Sequence, residues 1–173
     1  MTNEWASERS ALVLLVQSTT LLDDRVKPCG KAKGVPQQPD FWDMEIIFDG
    51  GAIGNPGDGY GSYMLVDKTG FNVIQRLKFG SNVTNNQAEY RTMIEGLKAA
   101  LSLSASNGWD PSQSSILVRT DSKLVVEQVN GRWKVRHPNM QPLCTQAQKL
   151  LDRFARWELG WHSRDNSVAL LGH

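Results

Sequence analysis

Three acidic residues, Asp49, Glu89 and Asp121, lie where predicted strands end or a predicted helix begins. Singly, each has a plain structural explanation, because acids favour the first turn of a helix and the ends of strands beside turns. Three carboxylates held a few ångströms apart would repel one another strongly at reduced dielectric, and they would stay ionised only around a divalent cation. The sequence therefore predicts a metal-binding carboxylate cluster, provided that the fold brings these positions together.

A ligand set made of oxygen atoms alone selects hard cations, so the cluster indicates Mg²⁺ or Mn²⁺ rather than zinc. Two such ions, about 3.5–4 Å apart, can activate a water molecule and stabilise the leaving oxygen of an in-line displacement. Hydrolysis of a phosphodiester is the reaction that suits this chemistry. The two cysteines, Cys29 and Cys144, lie far apart without a CxxC partner, which argues against structural zinc and against a disulfide framework.

Length, charge and hydropathy limit the classes of protein further. The chain has 173 residues, which is enough for one well-cored domain. Its net charge of +1 is far from that of strongly basic nucleic-acid binders, so any contact with nucleic acid must be local. The apolar stretch 11–16 is shorter than the ~20 residues of a membrane span, and the acids before it are unlike a secretory signal. We expect a monomeric, cytoplasmic protein with no membrane partner.

The acids would be positioned by a sheet and by the helices packed on it. Residues 1–42 include a polar, proline-containing stretch that is typical of an extension joined by a linker, and residues 43–173 form the predicted domain. The first strand is predicted at 44–48, followed by a glycine-rich turn over 50–57. Two further strands are predicted at 59–66 and 71–79, with a hairpin turn over 67–70.

A long helix is predicted over residues 86–104, with Thr84 and Asn85 supplying capping side chains at its start. A strand at 115–120 and a short helix at 123–129 form a β–α unit, which implies a parallel strand. An amphipathic helix over 141–156 leads to a last strand at 158–162. The order predicts an α/β fold whose five-stranded mixed sheet has three antiparallel strands followed by parallel strands, flanked by helices.

Blocks of residues around the acids make the interpretation more specific. They are Phe48-Asp49-Gly50-Gly51 with Asn55-Pro56-Gly57, Thr84-Asn85-Asn86-Gln87-Ala88-Glu89, and Thr120-Asp121-Ser122 with Val129-Asn130-Gly131 and Trp133. In order and spacing these blocks resemble the type 1 ribonucleases H over residues 44–166. The resemblance implies the ribonuclease H-like fold and an endoribonuclease that hydrolyses the RNA strand of RNA/DNA hybrids with two metal ions.

The same resemblance implies roles for single residues. Asp49, Glu89 and Asp121 match three of the family's four metal-binding acids. Reading of the RNA 2′-hydroxyl from the minor groove requires amide and backbone groups of the kind found here. The candidate substrate-binding residues are Gly50, Gly51, Asn55, Thr84, Asn85, Asn86, Ser122 and Trp133. Helix capping remains an alternative role for Asn85 and Asn86, as does burial in the core for Trp133.

The fourth metal-binding acid is where the chain departs from the family. Family members place an aspartate four residues after an asparagine, at the start of a C-terminal helix; here Asn166 is followed by Leu170. Because the chain stops at His173, we expect no such helix. Either Asn166 or Asp165 has taken over as the fourth ligand, or the site is incomplete. We favour Asn166, a neutral ligand that would favour Mn²⁺ over Mg²⁺.

Two other functions stay open, and one further residue is a candidate for chemistry. A catalytically weak or inactive protein that binds hybrid or RNA on the same fold would account for the missing acid. Another nuclease of the wider superfamily, such as a Holliday-junction resolvase or a transposase domain, would share the acids but not the paired asparagines Asn85 and Asn86. His162 is a possible proton carrier, with a surface histidine at a strand end as the alternative.

Overall fold

Five strands and four helices make up the part of the chain that the structure, a computed structural model, describes: residues 41–171. The expectations for the extension, except at its last two residues, and for Cys29 lie outside the described residues. The strands are β1 (Met44–Gly54), β2 (Gly57–Asp67), β3 (Asn72–Val83), β4 (Ser115–Thr120) and β5 (Arg156–Trp161). The helices are α1 (Asn85–Ser106), α2 (Lys123–Val129), α3 (Gln141–Leu151) and α4 (Arg164–Leu171).

The strands form one mixed sheet in the order β3-β2-β1-β4-β5. β2 pairs antiparallel with both β1 and β3, whereas β4 lies parallel to both β1 and β5. Parallel pairing of β1 with β4 needs a crossover connection, in which α1 is the main element. The predicted α/β architecture, three antiparallel strands followed by parallel strands, is confirmed.

Alternation along β1 divides the sheet into two faces. Met44, Ile46 and Phe48 belong to the main apolar core, which they share with buried residues of α1, α2 and α3. The odd-numbered residues of β1, among them Asp49, take the other face. There α4 contacts β1 and β2. The first of the three acids therefore points to the side of the sheet that α4 covers.

β1 is longer than the sequence predicts. It continues past Phe48 to Gly54, so Asp49 lies within the strand and not at its end. The glycine-rich segment that was predicted to turn instead pairs residue by residue with β2, from Gly50 opposite Gly61 onward. β2 is itself glycine-rich here, and glycine tolerates strand as well as turn geometry, so pairing decides the conformation.

The last strand also starts earlier than expected. α3 ends at Leu151 and β5 begins at Arg156. The predicted helix over 141–156 was therefore too long at its C-terminal end. The backbone N–H of Phe154 donates to the carbonyl of Leu151, and that of Ala155 donates to the carbonyl of Ser114 at the start of β4. These two bonds turn the chain out of the helix and into register with β4.

The expectation that no final helix forms is wrong. α4 follows β5 directly, and the backbone N–H of Asn166 donates to the carbonyl of Ser163 in its first turn. Ser167 and Leu171, one helical turn apart, are both almost fully buried. Packing of one face against the sheet is sufficient to stabilise a helix this short.

Two further observations concern the rest of the domain. Cys144 is a free cysteine that is buried in α3. None of the helices between residues 41 and 171 is long and apolar enough to cross a membrane.

Candidate active site

The start of α1 fixes Glu89 against β1. Thr84 is the N-cap, and it forms a reciprocal capping box with Gln87. The helix then passes so close to Gly50 that a Cβ there would lie 2.6–2.7 Å from backbone atoms of Ala88 and Glu89. Glycine alone permits this approach, and Glu89 is therefore held close to the strand that carries Asp49.

Asp49 and Asp121 come from adjacent parallel strands. β1 and β4 stay in register as far as Ile47 opposite Arg119, and each aspartate lies two residues further along. Asp49 is only 6% exposed, and its Oδ1 accepts a 2.8 Å hydrogen bond from the backbone N–H of Gly50. The side chain of Asp121 is only 9% exposed. The two carboxylates are thus at the same level of the sheet.

Glu89 completes a cluster with these two aspartates. Burial raises the pKa of Glu89 to about 7; a hydrogen bond from Ser122 opposes the rise, and the negative charges of Asp121 and Asp49 add to it. The hydroxyl of Ser122 donates to Glu89 Oε2 over 2.5 Å. Like charges shift a pKa only when they are near, so both aspartates lie near enough to Glu89 to affect its pKa.

The donor atoms of the cluster suit a hard divalent cation, although their spacing does not form a complete binding site. All its side-chain donors are carboxylate oxygens, which Mg²⁺ and Mn²⁺ prefer. Burial raises the pKa of Glu89 most, and a bound cation would relieve the repulsion from Asp121 and Asp49 that adds to this rise. Among residues 41–171, no three His, Cys, Asp or Glu side chains are gathered closely enough to hold a metal ion as they stand. A cation would have to draw these carboxylates inward.

Asn85 braces α1 against the end of β1 and the turn that follows it. Its Oδ1 accepts a 2.8 Å hydrogen bond from the backbone N–H of Ala52, and its own backbone N–H donates to Asn55 Oδ1 over 3.2 Å. The helix cap is Thr84, so the prediction that Asn85 also caps the helix is wrong for its side chain. Because only the oxygen of the amide is used in this brace, its NH₂ group can still donate to a ligand. Asn86, next to it, is exposed.

Three other candidate residues have well-defined surroundings. Ser122 serves the protein itself: besides bonding Glu89 it caps α2, where its Oγ accepts from the backbone N–H of Val125. Gly51 lies beneath the ring of Tyr60, whose hydroxyl a Cβ would approach to 2.7 Å. Trp133 is 48% exposed, so the alternative that places it in the core is wrong.

Two residues that contact Asp121 are not among those expected from the sequence. Trp161, the last residue of β5, donates from Nε1 to the backbone carbonyl of Asp121 over 3.0 Å while its side chain remains exposed. Arg164 places Nη1 3.7 Å from Asp121 Oδ2, and its charge opposes the effect of burial on the pKa of Glu89. No local signal could have found them, because the contact arises from the pairing of β5 with β4.

His162 is buried, which excludes the interpretation as a surface histidine. It is 5% exposed, and its Nε2 lies 3.1 Å from the hydroxyl of Ser167 in α4. Burial lowers the pKa of His162 to about 4; the charge of Arg119 lowers it too, and Asp49 opposes both. A neutral imidazole therefore joins the end of β5 to α4, on the face of the sheet that carries Asp49.

Asn166, the residue favoured as the fourth ligand, and Leu170 lie one turn apart in α4. Asn166 is half-buried in the first turn, between Arg164 at the acid cluster and Ser167 against His162. Leu170, one turn later, lines a groove of about 550 Å³ with residues 74–76 of β3. Leu170 is thus an apolar side chain beside the edge strand.

Known proteins resemble the chain over the whole of this region. Residues 48–170 match the family described as reverse transcriptase-like. The bifunctional protein Rv2228c of Mycobacterium tuberculosis is 41% identical over 124 residues, which are 70% of this chain and 32% of that protein. This chain therefore spans about a third of the length of that curated relative.

Solved structures give the same result. The N-terminal RNase H domain of rv2228c from Mycobacterium tuberculosis, fused to maltose-binding protein, matches with a TM-score of 0.64 and 35% identity, covering 75% of this chain and 88% of that one. LC11-RNase H1 in complex with an RNA/DNA hybrid matches with a TM-score of 0.64 and 24% identity, covering 73% and 89%. The second likeness concerns the fold alone.

Proposed function

Because the chain belongs to the reverse transcriptase-like family and, within it, to the ribonucleases H, we propose that it is an endoribonuclease that hydrolyses the RNA strand of RNA/DNA hybrids. The observation that carries this function is the placement of Asp49 and Asp121 at the same level of two adjacent parallel strands, with the helix that carries Glu89 packed against Gly50 beside them. A neighbour of the same fold, LC11-RNase H1, forms a complex with an RNA/DNA hybrid, which supports the choice of substrate.

Asp49, Glu89 and Asp121 would hold two Mg²⁺ or Mn²⁺ ions in the presence of substrate, and these ions would supply activation of the attacking water and stabilisation of the leaving oxygen. The chain's own groups orient these ligands. The backbone N–H of Gly50 fixes one oxygen of Asp49. The hydroxyl of Ser122 fixes one oxygen of Glu89. The bond from Ser122 favours the ionised form of Glu89, which is the form that a cation requires.

Asn166 is the proposed fourth ligand. It lies in the first turn of α4, directly after residues that contact the acid cluster, and its amide oxygen is a hard but neutral donor. With one negative charge fewer than a set of four acids, the site would hold Mg²⁺ weakly. We therefore expect Mn²⁺, which binds more tightly in the divalent series, to be the better activator.

Discrimination of RNA from DNA would come from the rim formed by the turn after β1 and the start of α1. Asn85 and Asn86 offer amide groups there, and the backbone of Gly50 and Gly51 runs beside them. Such groups can donate to and accept from a 2′-hydroxyl in the wide minor groove of a hybrid. Asn55, Thr84, Ser122 and Trp133 would contribute indirectly or through the sugar–phosphate backbone.

A second candidate function is binding of hybrids without cleavage. It is favoured by one observation, the presence of Leu170 where the family places its fourth acid. Both functions assign the activity to residues 43–173 and leave residues 1–42 as a separate extension. A monomeric state and a cytoplasmic location belong to the same proposal and rest on the sequence.

Cleavage of an end-labelled RNA/DNA hybrid tests the proposed function. The full chain is compared on matched RNA/RNA and DNA/DNA duplexes in Mg²⁺, in Mn²⁺ and in chelator. Asp49→Asn serves as the blank, and Asp152→Asn, an exposed aspartate after α3, as the control for loss of a carboxylate elsewhere. Cleavage of the hybrid alone, abolished by chelator and by Asp49→Asn only, is the expected result. Binding of the hybrid without cleavage in either metal would favour the second candidate.

A further inference from the structure

Trp161 is fixed at the edge of the acid cluster with most of its side chain in solvent. Its Nε1 donates to the backbone carbonyl of Asp121, and the side chain is 55% exposed. The hydrogen bond satisfies the one polar atom of the indole and restricts the ring to a single orientation. A ring held in this way has little conformational entropy left to lose when a ligand packs on its face.

Arg164, at the start of α4, lies beside the carboxylate of the same aspartate. Its Nη1 lies 3.7 Å from Asp121 Oδ2, and its side chain is 70% exposed. This distance is longer than a hydrogen bond, and a guanidinium carries five N–H donors, so one such ion pair cannot engage all of them. The planar group is therefore suited to grip a phosphate oxygen without leaving Asp121.

We propose that Trp161 and Arg164 form a binding wall for the sugar–phosphate backbone of the strand that is cut, with the indole packed on a ribose or base and the guanidinium on the adjacent phosphate. This assignment, which rests on the proposed function, gives the acid cluster a substrate-binding side formed by the end of β5 and the start of α4. Both residues reach the site through Asp121, so a strand held by them lies next to that carboxylate.

The binding wall would offset the electrostatic repulsion between the substrate and the acid cluster. A phosphodiester that approaches Asp49, Glu89 and Asp121 is repelled by their charges, and the net charge of the whole chain, +1, gives no general attraction. A cation on the rim offsets this repulsion locally. An aromatic face beside it contributes contact that does not depend on base identity, because every nucleotide offers an apolar face.

The test is the dissociation constant of a fluorescent RNA/DNA hybrid measured by anisotropy in chelator, together with kcat and KM for its cleavage with metal. We expect Trp161→Ala to weaken binding about tenfold and Trp161→Phe by about threefold or less, because the ring remains. Arg164→Gln should weaken binding about tenfold and reduce the slope of log Kd against log salt concentration by about 1, while Arg164→Lys keeps most of that slope.

Matched controls lie at the opposite end of the parallel strands. Trp109, which packs on Lys68 before β4, is replaced with Ala, and Arg153, exposed before β5, is replaced with Gln. Neither control should change Kd by more than about twofold. Thermal midpoints of all variants identify any that fail to fold, and Trp161→Phe and Arg164→Lys then carry the comparison.

The outcomes separate this inference from the proposed function. If the wild type binds and cleaves the hybrid while the Trp161 and Arg164 variants behave like the controls, the wall is wrong and the nuclease stands. If Trp161→Ala and Trp161→Phe lower kcat equally with Kd unchanged, Trp161 acts by positioning Asp121 and binds no substrate. If the wild type binds the hybrid without cleaving it, the proposed nuclease activity is wrong, and the Kd values of the Trp161 and Arg164 variants still test the binding wall. If it neither binds nor cleaves, both are wrong.

Discussion

The hydroxyl of Ser122 donates a 2.5 Å hydrogen bond to Glu89, a residue 33 positions earlier in the chain. The same oxygen accepts the capping hydrogen bond of α2 from Val125. One small side chain thus joins the start of α2, the end of β4 and the acidic side chain of α1. The bond also favours the charged form of a carboxylate that burial and two neighbouring aspartates disfavour.

Replacement of Glu89 with Gln is expected to stabilise the metal-free protein at high pH while abolishing cleavage. The pKa of Glu89 in the folded protein, about 7, lies above its ordinary value of 4.5. Folding therefore favours the protonated form, and the stability contributed by Glu89 is present below pH 4.5 and lost as pH rises through 7. Glutamine carries no charge and avoids this loss. In chelator, the thermal midpoint of Glu89→Gln should exceed that of the wild type by about 4 °C at pH 8. Near pH 4.5 the two midpoints should be equal. Equal midpoints at pH 8 would contradict the expectation.

His162→Gln should make the protein less sensitive to acid. Folding lowers the pKa of His162 from 6.5 to about 4. Between pH 4 and pH 6.5, the unfolded chain therefore binds a proton at His162 that the folded chain does not. Wild-type stability therefore falls as pH drops from 6.5 to 4. Glutamine can keep a hydrogen bond to Ser167 without taking up a proton. The measurement is the thermal midpoint from pH 4 to 7.5, and parallel curves for the two proteins would show that His162 does not set the acid limit.

Asn166→Asp should tighten metal binding. A fourth carboxylate adds the charge that the neutral amide lacks, so the Mg²⁺ concentration for half-maximal cleavage should fall about tenfold and the preference for Mn²⁺ should shrink. Asn166→Ala should raise the requirement for both metals. Asp165→Asn, its exposed neighbour in the same helical turn, is the matched control. If Asp165→Asn has the larger effect, the fourth ligand is Asp165.

Two substitutions of Asn85 separate its brace from its contact with substrate. Asn85→Asp keeps an oxygen for the N–H of Ala52 but removes the NH₂ donor, whereas Asn85→Ala removes both. We expect Asn85→Asp to raise KM for the hybrid about tenfold, through the lost donor and the added negative charge, with little change in thermal midpoint. Asn85→Ala should also lower the midpoint. Unchanged KM in Asn85→Asp would leave Asn85 with the structural role alone.

Gly50→Ala and Gly51→Ala differ by one position and should differ sharply in effect. The new methyl group at position 50 would meet the backbone of α1, which cannot shift without moving Glu89. We therefore expect the free energy of unfolding to fall by about 1–3 kcal/mol and most of the activity to be lost. At Gly51 the methyl group meets only the end of the Tyr60 side chain, which can move. Denaturant unfolding of both variants provides the comparison, and a Gly50→Ala protein as stable as Gly51→Ala would refute the close packing.

Residue types and local patterns were sufficient to predict a mixed sheet of three antiparallel strands followed by parallel strands. The run from Ser115 to Thr120 and the capping residue Thr84 behave as propensity predicts. The extension of β1 past Phe48 was not predictable, because glycine-rich segments favour turn and strand alike and only pairing with β2 decides between them. α4 was missed for a related reason: its weak amphipathic pattern gains stability from burial of Ser167 and Leu171 against a sheet that the local sequence does not reveal.

Trp161 and Arg164 show the other limit of sequence patterns. Each lies in sequence at least 40 positions from Asp121, and nothing in their own neighbourhood indicates the contact. It arises from the parallel pairing of β4 with β5, which places Trp161 opposite Thr120. Long-range register, and not residue type, assigns them to the site.

The parallel pairing of β1 with β4 also has a kinetic consequence. β1, β2 and β3 can form a hairpin-linked meander early, since their contacts are local in the chain, but Asp49 meets Asp121 only after the long crossover through α1 has closed. Non-local pairings of this kind form slowly, because the loop must be closed before the contacts repay its entropy. Recovery of catalytic competence after dilution from denaturant would therefore lag behind recovery of secondary structure, and it would report the last step of folding.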